Sequence, residues 1–412
     1  MRYDATEAKL AKLRSHKEYV KEMKKAEKNC CIHYGIKGKS IICDELPYFD
    51  GIWGFPPDWM HAILIGVVKS LWKFWTTTGC QFKLTKIQID MVDARLIFMK
   101  PTKDMYRLPN QLRKKSQWKA ADWLNWLFIY SIPCLRGILN DEALNSYSFF
   151  VRSMLVLAQP NLSNDVINKC ENDLKIFVND CQKFYNLEFM TFNVHIILHL
   201  CNSIRKSGPL YTTSAFPFES AIGGLKKLVT GPTAAVEQIT GRVLELNHFN
   251  EYLLKDEEKE EGLSFCKRIM LRRATLINFL RSQENAIIAT TRESIENKEF
   301  DRCIYNNKLF HSVLYTRPKK TDNTFVQLKN QKFSRIQSFF LIDNACYVKV
   351  QEIEVEPLVL NECCLNHIFL VVKKSNSIET ISISDIEKKV VLLNIDNEYE
   401  YICVPPSISD AT

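Results

Sequence analysis

"DWMHAILIGVVKSLWKFW", residues 58–75, decides how the first two thirds of the chain folds. Its apolar residues recur at i, i+3, i+4 and i+7, the spacing of one buried helix face. The same period returns in "WKAADWLNWLFIYSIPCLRGIL" (118–139), "SYSFFVRSMLVLA" (146–158), "NDVINKCENDLKIFVNDCQKFY" (164–185) and "VHIILHLCNSI" (194–204). Together they predict a helical body over 51–295, preceded by a charged helical lead-in and loop over 1–50. Pro160 and Ser207-Gly-Pro punctuate the body as loops. The run "KDEEKEEG" (255–262) reads as an exposed loop before a linking helix, "FCKRIMLRRATLINFLRS" (265–282).

From about residue 300 the texture changes. Short runs rich in Val, Ile, Phe and Tyr alternate with turn residues: "KLFHSVLYT", "TFVQLK", "SRIQSFFLI", "CYVKVQEIEV", "HIFLVVK", "ETISI", "KVVLLNI" and "YEYICVP". Such runs predict an antiparallel β domain or small barrel over 300–412. The expected fold class is therefore α+β.

At 412 residues with 46% hydrophobic and 11% aromatic content, the chain can bury a sizeable core. Its apolar runs fall short of the roughly 20 residues that cross a bilayer, so no membrane partner is expected. The charged start "MRYDATEAKLAKLRSHKEYVKEMKKAEK" has no apolar h-region, which argues against a signal peptide and for synthesis in the cytosol. Fourteen cysteines are scattered without any Cys-x-x-Cys pair, the pattern of reduced thiols rather than a disulfide framework. Cys30, His33 and Cys43 form only a loose candidate metal cluster.

The formal net charge is +8, a mild lean toward an anionic partner. Residues 9–28 hold eight Lys or Arg against three Glu, interleaved as on a solvated helix face. Lys100, Lys103, Arg107, Arg113, Lys114, Lys115 and Lys119 stand against one Asp. They form a candidate DNA-binding surface, and Lys267, Arg268, Arg272 and Arg273 form a second.

Three sets of residues carry chemistry. His195 and His199 are four apart, so on a helix they share a face and can ligate one divalent metal. Asp58 and His61 lie three apart at a helix start, where Asp58 serves equally well as an N-cap. Glu219, in "SAFPFESAIGGLKKLV", sits beside Phe216 and Phe218, where a buried acid is costly without a metal or a donor.

The ordered blocks "YGIKGKSII", "LPYFDGIWGFPPDWMHAILIGVVKSLW", "WKAADWLNWLFIYSIPCL" and "MTFNVHIILHLCNSIRKSGPLYTTSAFPFESAIGGLKK" resemble the animal branch of the CACTA, or En/Spm-type, DNA transposase family. The resemblance spans about residues 30–250, and the C-terminal strands resemble the β region that follows these transposases. It implies a DDE enzyme with a ribonuclease H-like core, in which three acids hold two Mg or Mn ions for phosphoryl transfer on DNA. Under it, Glu219 matches the final catalytic Glu, and Asp58 and His61 match an Asp-x-x-His block. His195 and His199 match half of a structural zinc site whose other half is Cys-x-x-Cys. The family's other two acids and that cysteine pair are not in this sequence. The expectation is thus an N-terminally truncated, catalytically incomplete transposase-derived protein that binds DNA in the nucleus. An active nuclease would instead need Asp44 or Asp50 to join Asp58 and Glu219. The alternative, from a different class, is a protein or chromatin interaction module carried by the β domain.

Overall fold

The computed structural model describes residues 13–46, 48–77, 81–105, 107–255, 279–281, 286–289, 299–316 and 320–406. The chain is α+β, with helices first and antiparallel strands after. Helix α1 (His16–Lys28) starts at a Ser15–Glu18 capping box, which satisfies orphan N–H groups at both positions. After α2 (Ile41–Glu45), a π-helix at Met60–Val68 runs directly into α3 (Lys69–Thr77). Helix α4 (Lys86–Phe98) opens on a second capping box, Thr85 with Gln88. A 3-10 turn (Leu112–Gln117) leads to α5 (Ala120–Asn125), a second π segment (Trp126–Tyr130) and α6 (Ser131–Leu135). Then come α7 (Asp141–Leu157), α8 (Asn164–Phe189), α9 (Phe192–Ile197), α10 (Leu200–Ser207), α11 (Phe216–Leu228) and α12 (Ala235–Lys255). Among the described residues no helix is long and apolar enough to cross a membrane.

Tryptophans fill the centre of the body. Trp59, Trp72, Trp75, Trp123 and Trp126 are all almost fully buried. Trp72 and Trp126 meet edge to face at 5.7 Å, and Phe150 stacks on Phe177 at 4.5 Å, geometries that aromatic quadrupoles favour. The buried polar tip of Trp75 is satisfied by the Tyr185 hydroxyl at 2.9 Å.

The strands form two antiparallel sheets. Strands β1 (Phe279–Arg281), β2 (Ile287–Ala289), β3 (Arg302–Tyr305) and β4 (Lys308–His311) pair in chain order. Strands β5 (Phe325–Leu328), β6 (Phe333–Ile342), β7 (Ala345–Leu360), β8 (Cys363–Ser382), β9 (Ile386–Lys389), β10 (Val391–Ile395) and β11 (Tyr399–Cys403) pair in the order β10-β11-β8-β7-β6-β5-β9. This second sheet curls into a nearly closed barrel. Asn306 with Asn307 and Asp343 with Asn344 have positive φ at both positions of two-residue hairpin loops. That is the backbone a right-twisted hairpin requires, and Asn and Asp adopt it at least cost after Gly.

Three strand readings change. Segments 367–373 and 379–382 belong to one long strand, β8, because β7 pairs with it from Cys363 to Ser382 across three register shifts, and Ile383 starts a 3-10 turn. The run 389–395 is divided at Val390, whose N–H donates to the Phe325 carbonyl at 3.0 Å, so that β9 and β10 lie at opposite edges of the sheet. Of the expected linking helix, the described part, Phe279–Arg281, is strand β1, paired with Ile287–Ala289; residues 256–278 lie outside the described residues. Two strands thus precede residue 300.

The sheet and the helices share one core. Leu358, Cys363, Leu365, Ile368, Val391, Leu393, Ile395, Tyr401 and Cys403 pack in the same buried cluster as the tryptophans. Arg95 of α4 is the polar tie across this boundary. Its guanidinium donates to the Cys134 and Arg136 carbonyls, each at 2.8 Å, and twice to Asp396, at 3.0 and 2.5 Å. Lys389, nearly buried, donates to Asp104 at 2.8 Å and to the Leu309 carbonyl at 2.9 Å. Pro133 has no N–H for the carbonyl four residues back, that of Ile129, and the Cys403 thiol approaches this carbonyl at 3.6 Å.

Arg95→Met removes four hydrogen bonds from a largely buried site. It is expected to lower the unfolding free energy by about 3 kcal/mol, measured by urea denaturation. Helical and β signals should vanish in one transition, in the variant as in the parent; two separate transitions in the parent would contradict a shared core.

Candidate functional site

Trp59 explains why two distant blocks of sequence meet. It is fully buried and packs against Phe128 at 6.4 Å and, edge to face, against Phe216 at 6.1 Å. Asp58 precedes this tryptophan, and Glu219 lies one helical turn beyond Phe216. Asp58 accepts from the Ala215 N–H at 3.0 Å and from the Met60 and His61 N–H groups, each at 3.2 Å. It therefore caps the π-helix, as one of its sequence readings has it, and also pins the start of α11.

His61 stands between the two acids. Its Nδ1 meets Asp58 Oδ2, and its Nε2 lies 3.2 Å from Glu219 Oε1. The three side chains reach solvent, at 26% for Asp58, 56% for His61 and 57% for Glu219. Glu219 therefore bears no burial cost: on α11 only Phe216 is buried, and Phe218 points outward at 73% exposure. An imidazole between two carboxylates can orient and pass a proton. It also occupies the space in which two cations about 4 Å apart would have to share those carboxylates, so these residues do not fit a two-metal centre. Asp44 is engaged by Lys39 at 3.1 Å, and Asp50 accepts the Ile52 and Trp53 N–H groups at 2.8 and 2.9 Å. Neither joins the cluster through these contacts.

His195 and His199 are brought together, though not on one continuous helix. Helix α9 ends at Ile197 and α10 begins at Leu200, yet the two Nε2 atoms are 3.0 Å apart. One ring must donate to the other, so at least one is neutral. Burial, reinforced by the His199 ring, pushes His195 down to about 4, and burial also lowers His199. Two neutral imidazole nitrogens at this separation suit one side of a tetrahedral zinc, which needs two further ligands. Among the described residues no group of three or more His, Cys, Asp or Glu side chains is placed to hold a metal. The loose cluster of Cys30, His33 and Cys43 does not assemble, and His33 is held by Glu22. Helix α9 packs on the π-helix at Gly66, where an added Cβ would lie 2.5 Å from the Asn193 amide nitrogen. A side chain at residue 66 would have to displace the Asn193 amide, and this contact joins the helix that carries His195 to the element that Asp58 caps.

The basic residues divide. Arg107 is tied to Asp122 at 2.7 Å, and Arg113 is held by Asp90 with Asp93 at 3.6 Å. Lys100 and Lys103 flank Pro101, whose carbonyl accepts from the Asp322 N–H at 2.9 Å, near the β region. Lys119 is the N-cap of α5. Lys114 is exposed, and Lys115 is half-buried. Lys267, Arg268, Arg272 and Arg273 lie outside the described residues. Sequence reading passed over Lys69, Lys73, Lys83 and Lys86, which the fold gathers around Lys115; they are separated along the chain by a helix and a loop, so no local run of charge announces them.

Residues 157–275 match a family described as a domain of unknown function, DUF4218. That span includes the histidine pair and Glu219 and stops short of Asp58. No curated protein and no solved structure matches the chain.

A histidine whose folded pKa lies below its ordinary 6.5 binds its proton more readily in the unfolded chain. His195 and His367, the latter buried and also held down at about 4, therefore leave stability intact above about pH 6.5 and erode it as pH falls toward 4. The urea midpoint is expected to drop between pH 7 and pH 5, and His195→Gln to flatten that drop; an unchanged pH dependence in the variant would contradict the assignment.

Proposed function

We propose that this chain is derived from a CACTA-type DNA transposase, has an incomplete catalytic centre and retains DNA binding, which would place its work in the nucleus. The observation that carries this reading is the meeting of Asp58, His61 and Glu219. These residues come from the two sequence blocks that resemble the family's Asp-x-x-His and Glu motifs, and a direct hydrogen bond from the Ala215 N–H to Asp58 joins the blocks. The convergence of His195 and His199 supports the same reading, since the family resemblance assigns them to one zinc half-site. A third support is helix α11, which buries Phe216 and leaves Phe218, Ile222 and Leu225 exposed at i, i+4 and i+7. That stripe is the face a sheet would cover in a ribonuclease H-like core. With one Glu, one Asp and an imidazole between them, no phosphoryl-transfer step is assigned to this chain.

The test combines binding with cleavage. The full chain is expected to bind a labelled DNA duplex at about 50 mM salt and to lose that affinity steeply toward 200 mM. In Mg or Mn it should leave supercoiled plasmid intact. Nicking that disappears in Glu219→Gln would overturn the incomplete centre, and failure to bind DNA at the lower salt would overturn the retained function.

A further inference from the structure

A cleft of about 460 Å³ lies between α3, α4 and the 3-10 turn. Its apolar walls come from Trp72, Leu84, Ile89 and Leu112, and Lys83, Lys86, Arg113 and Lys115 line its polar side. Lys69 and Lys73 stand one turn apart on α3, close enough that their charges, after burial itself, depress the pKa of Lys115. The local carboxylates are already engaged: Asp90 and Asp93 hold Arg113, and Asp93 also accepts the Leu112 N–H at 2.6 Å. Among the described residues no carboxylate pairs with Lys69, Lys83, Lys86 or Lys115. Gathering Lys69, Lys83, Lys86 and Lys115 with no carboxylate paired to them favours an anion that completes the site.

The arrangement also bears on the shape of that anion. A compact phosphate is usually gripped by free N–H groups at a helix start. Here the start of α4 is closed by its own capping box, with the Gln88 N–H donating to Thr85 Oγ1 at 3.3 Å and the Thr85 N–H to Gln88 Oε1 at 2.9 Å. The cations do not converge on one point either. Lys69 and Lys73 are about 6 Å apart along α3 by helical rise, and Lys83 and Lys86 come from the loop and helix start that follow. Trp72, Leu84 and Leu112 are too deeply buried to stack on bases.

We propose that this cleft binds the phosphate backbone of a nucleic-acid strand, through charge and without reading bases. The proposal rests on the DNA-binding reading above and assigns it a surface.

The test is fluorescence anisotropy of the full chain with labelled single-stranded and duplex oligonucleotides, between about 50 and 200 mM salt. Three proteins are compared: the parent, Lys69→Gln/Lys73→Gln/Lys86→Gln, and a control, Lys17→Gln/Lys24→Gln/Lys28→Gln, on the exposed face of α1. All six lysines are exposed, so each variant should keep the parent's thermal midpoint. The cleft variant is expected to bind a single strand more weakly, with a log–log salt slope shallower by about two, three contacts at roughly 0.7 each. The control should bind as the parent does. Should the cleft variant retain the parent's affinity and slope, the cleft assignment falls while DNA binding by the chain stands. If the parent binds neither oligonucleotide, both readings fall. Displacement of the oligonucleotide by micromolar ATP would overturn the strand in favour of a free nucleotide.

Discussion

The helices do not close a core without the sheet. Side chains from β7, β8, β10 and β11 complete the apolar cluster built around the tryptophans, while the sheets keep smaller buried clusters of their own, around Phe339 and around Ile402. Burial of apolar surface is the main favourable term in folding, and here that surface is contributed from both ends of the chain. The polar ties follow from this. Arg95 must lose water to reach the boundary, and it is tolerated there because four acceptor contacts receive it. Lys389 is accommodated in the same way by Asp104 and the Leu309 carbonyl.

Much of this was legible in the sequence because the period of apolar residues is a local property. The helices at 141–157 and 164–189 follow directly from it, as do most strands beyond 300. What was illegible depends on distant partners. Nothing inside 389–395 says that Val390 is where the chain passes from one edge of a sheet to the other; the Phe325 carbonyl decides that. Nothing near 279 says that Phe279–Arg281 will pair with 287–289 rather than continue a helix.

The candidate site divides along the same line. The identities of Asp58, His61 and Glu219 could be picked out from residue types and from family resemblance, but their meeting depends on Trp59 packing against Phe216. The exposure of Glu219 could not be read either. Two flanking phenylalanines suggest burial, and only the helix orientation shows that Phe216 faces the core while Phe218 faces away. The lysine cleft was the least legible feature, because its members reach one place through α3, the following loop, α4 and the 3-10 turn. A stretch such as 100–119 is conspicuous on paper, yet the fold pairs Arg107 and Arg113 with carboxylates.

The path of the chain through Val390 limits how the β region can meet another protein. Strands β9 and β10, the two edges of the curled sheet, are short, and β9 presents Glu387 and Lys388. A short edge that is charged, as β9 is, or that packs into the helical core, as Val391, Leu393 and Ile395 of β10 do, discourages a foreign strand from adding to the ladder. Recruitment of an extended peptide by strand addition is therefore disfavoured at either edge. A partner of this sheet would instead meet its outer face or its hairpin loops, and the same geometry guards β9 and β10 against edge-to-edge self-association.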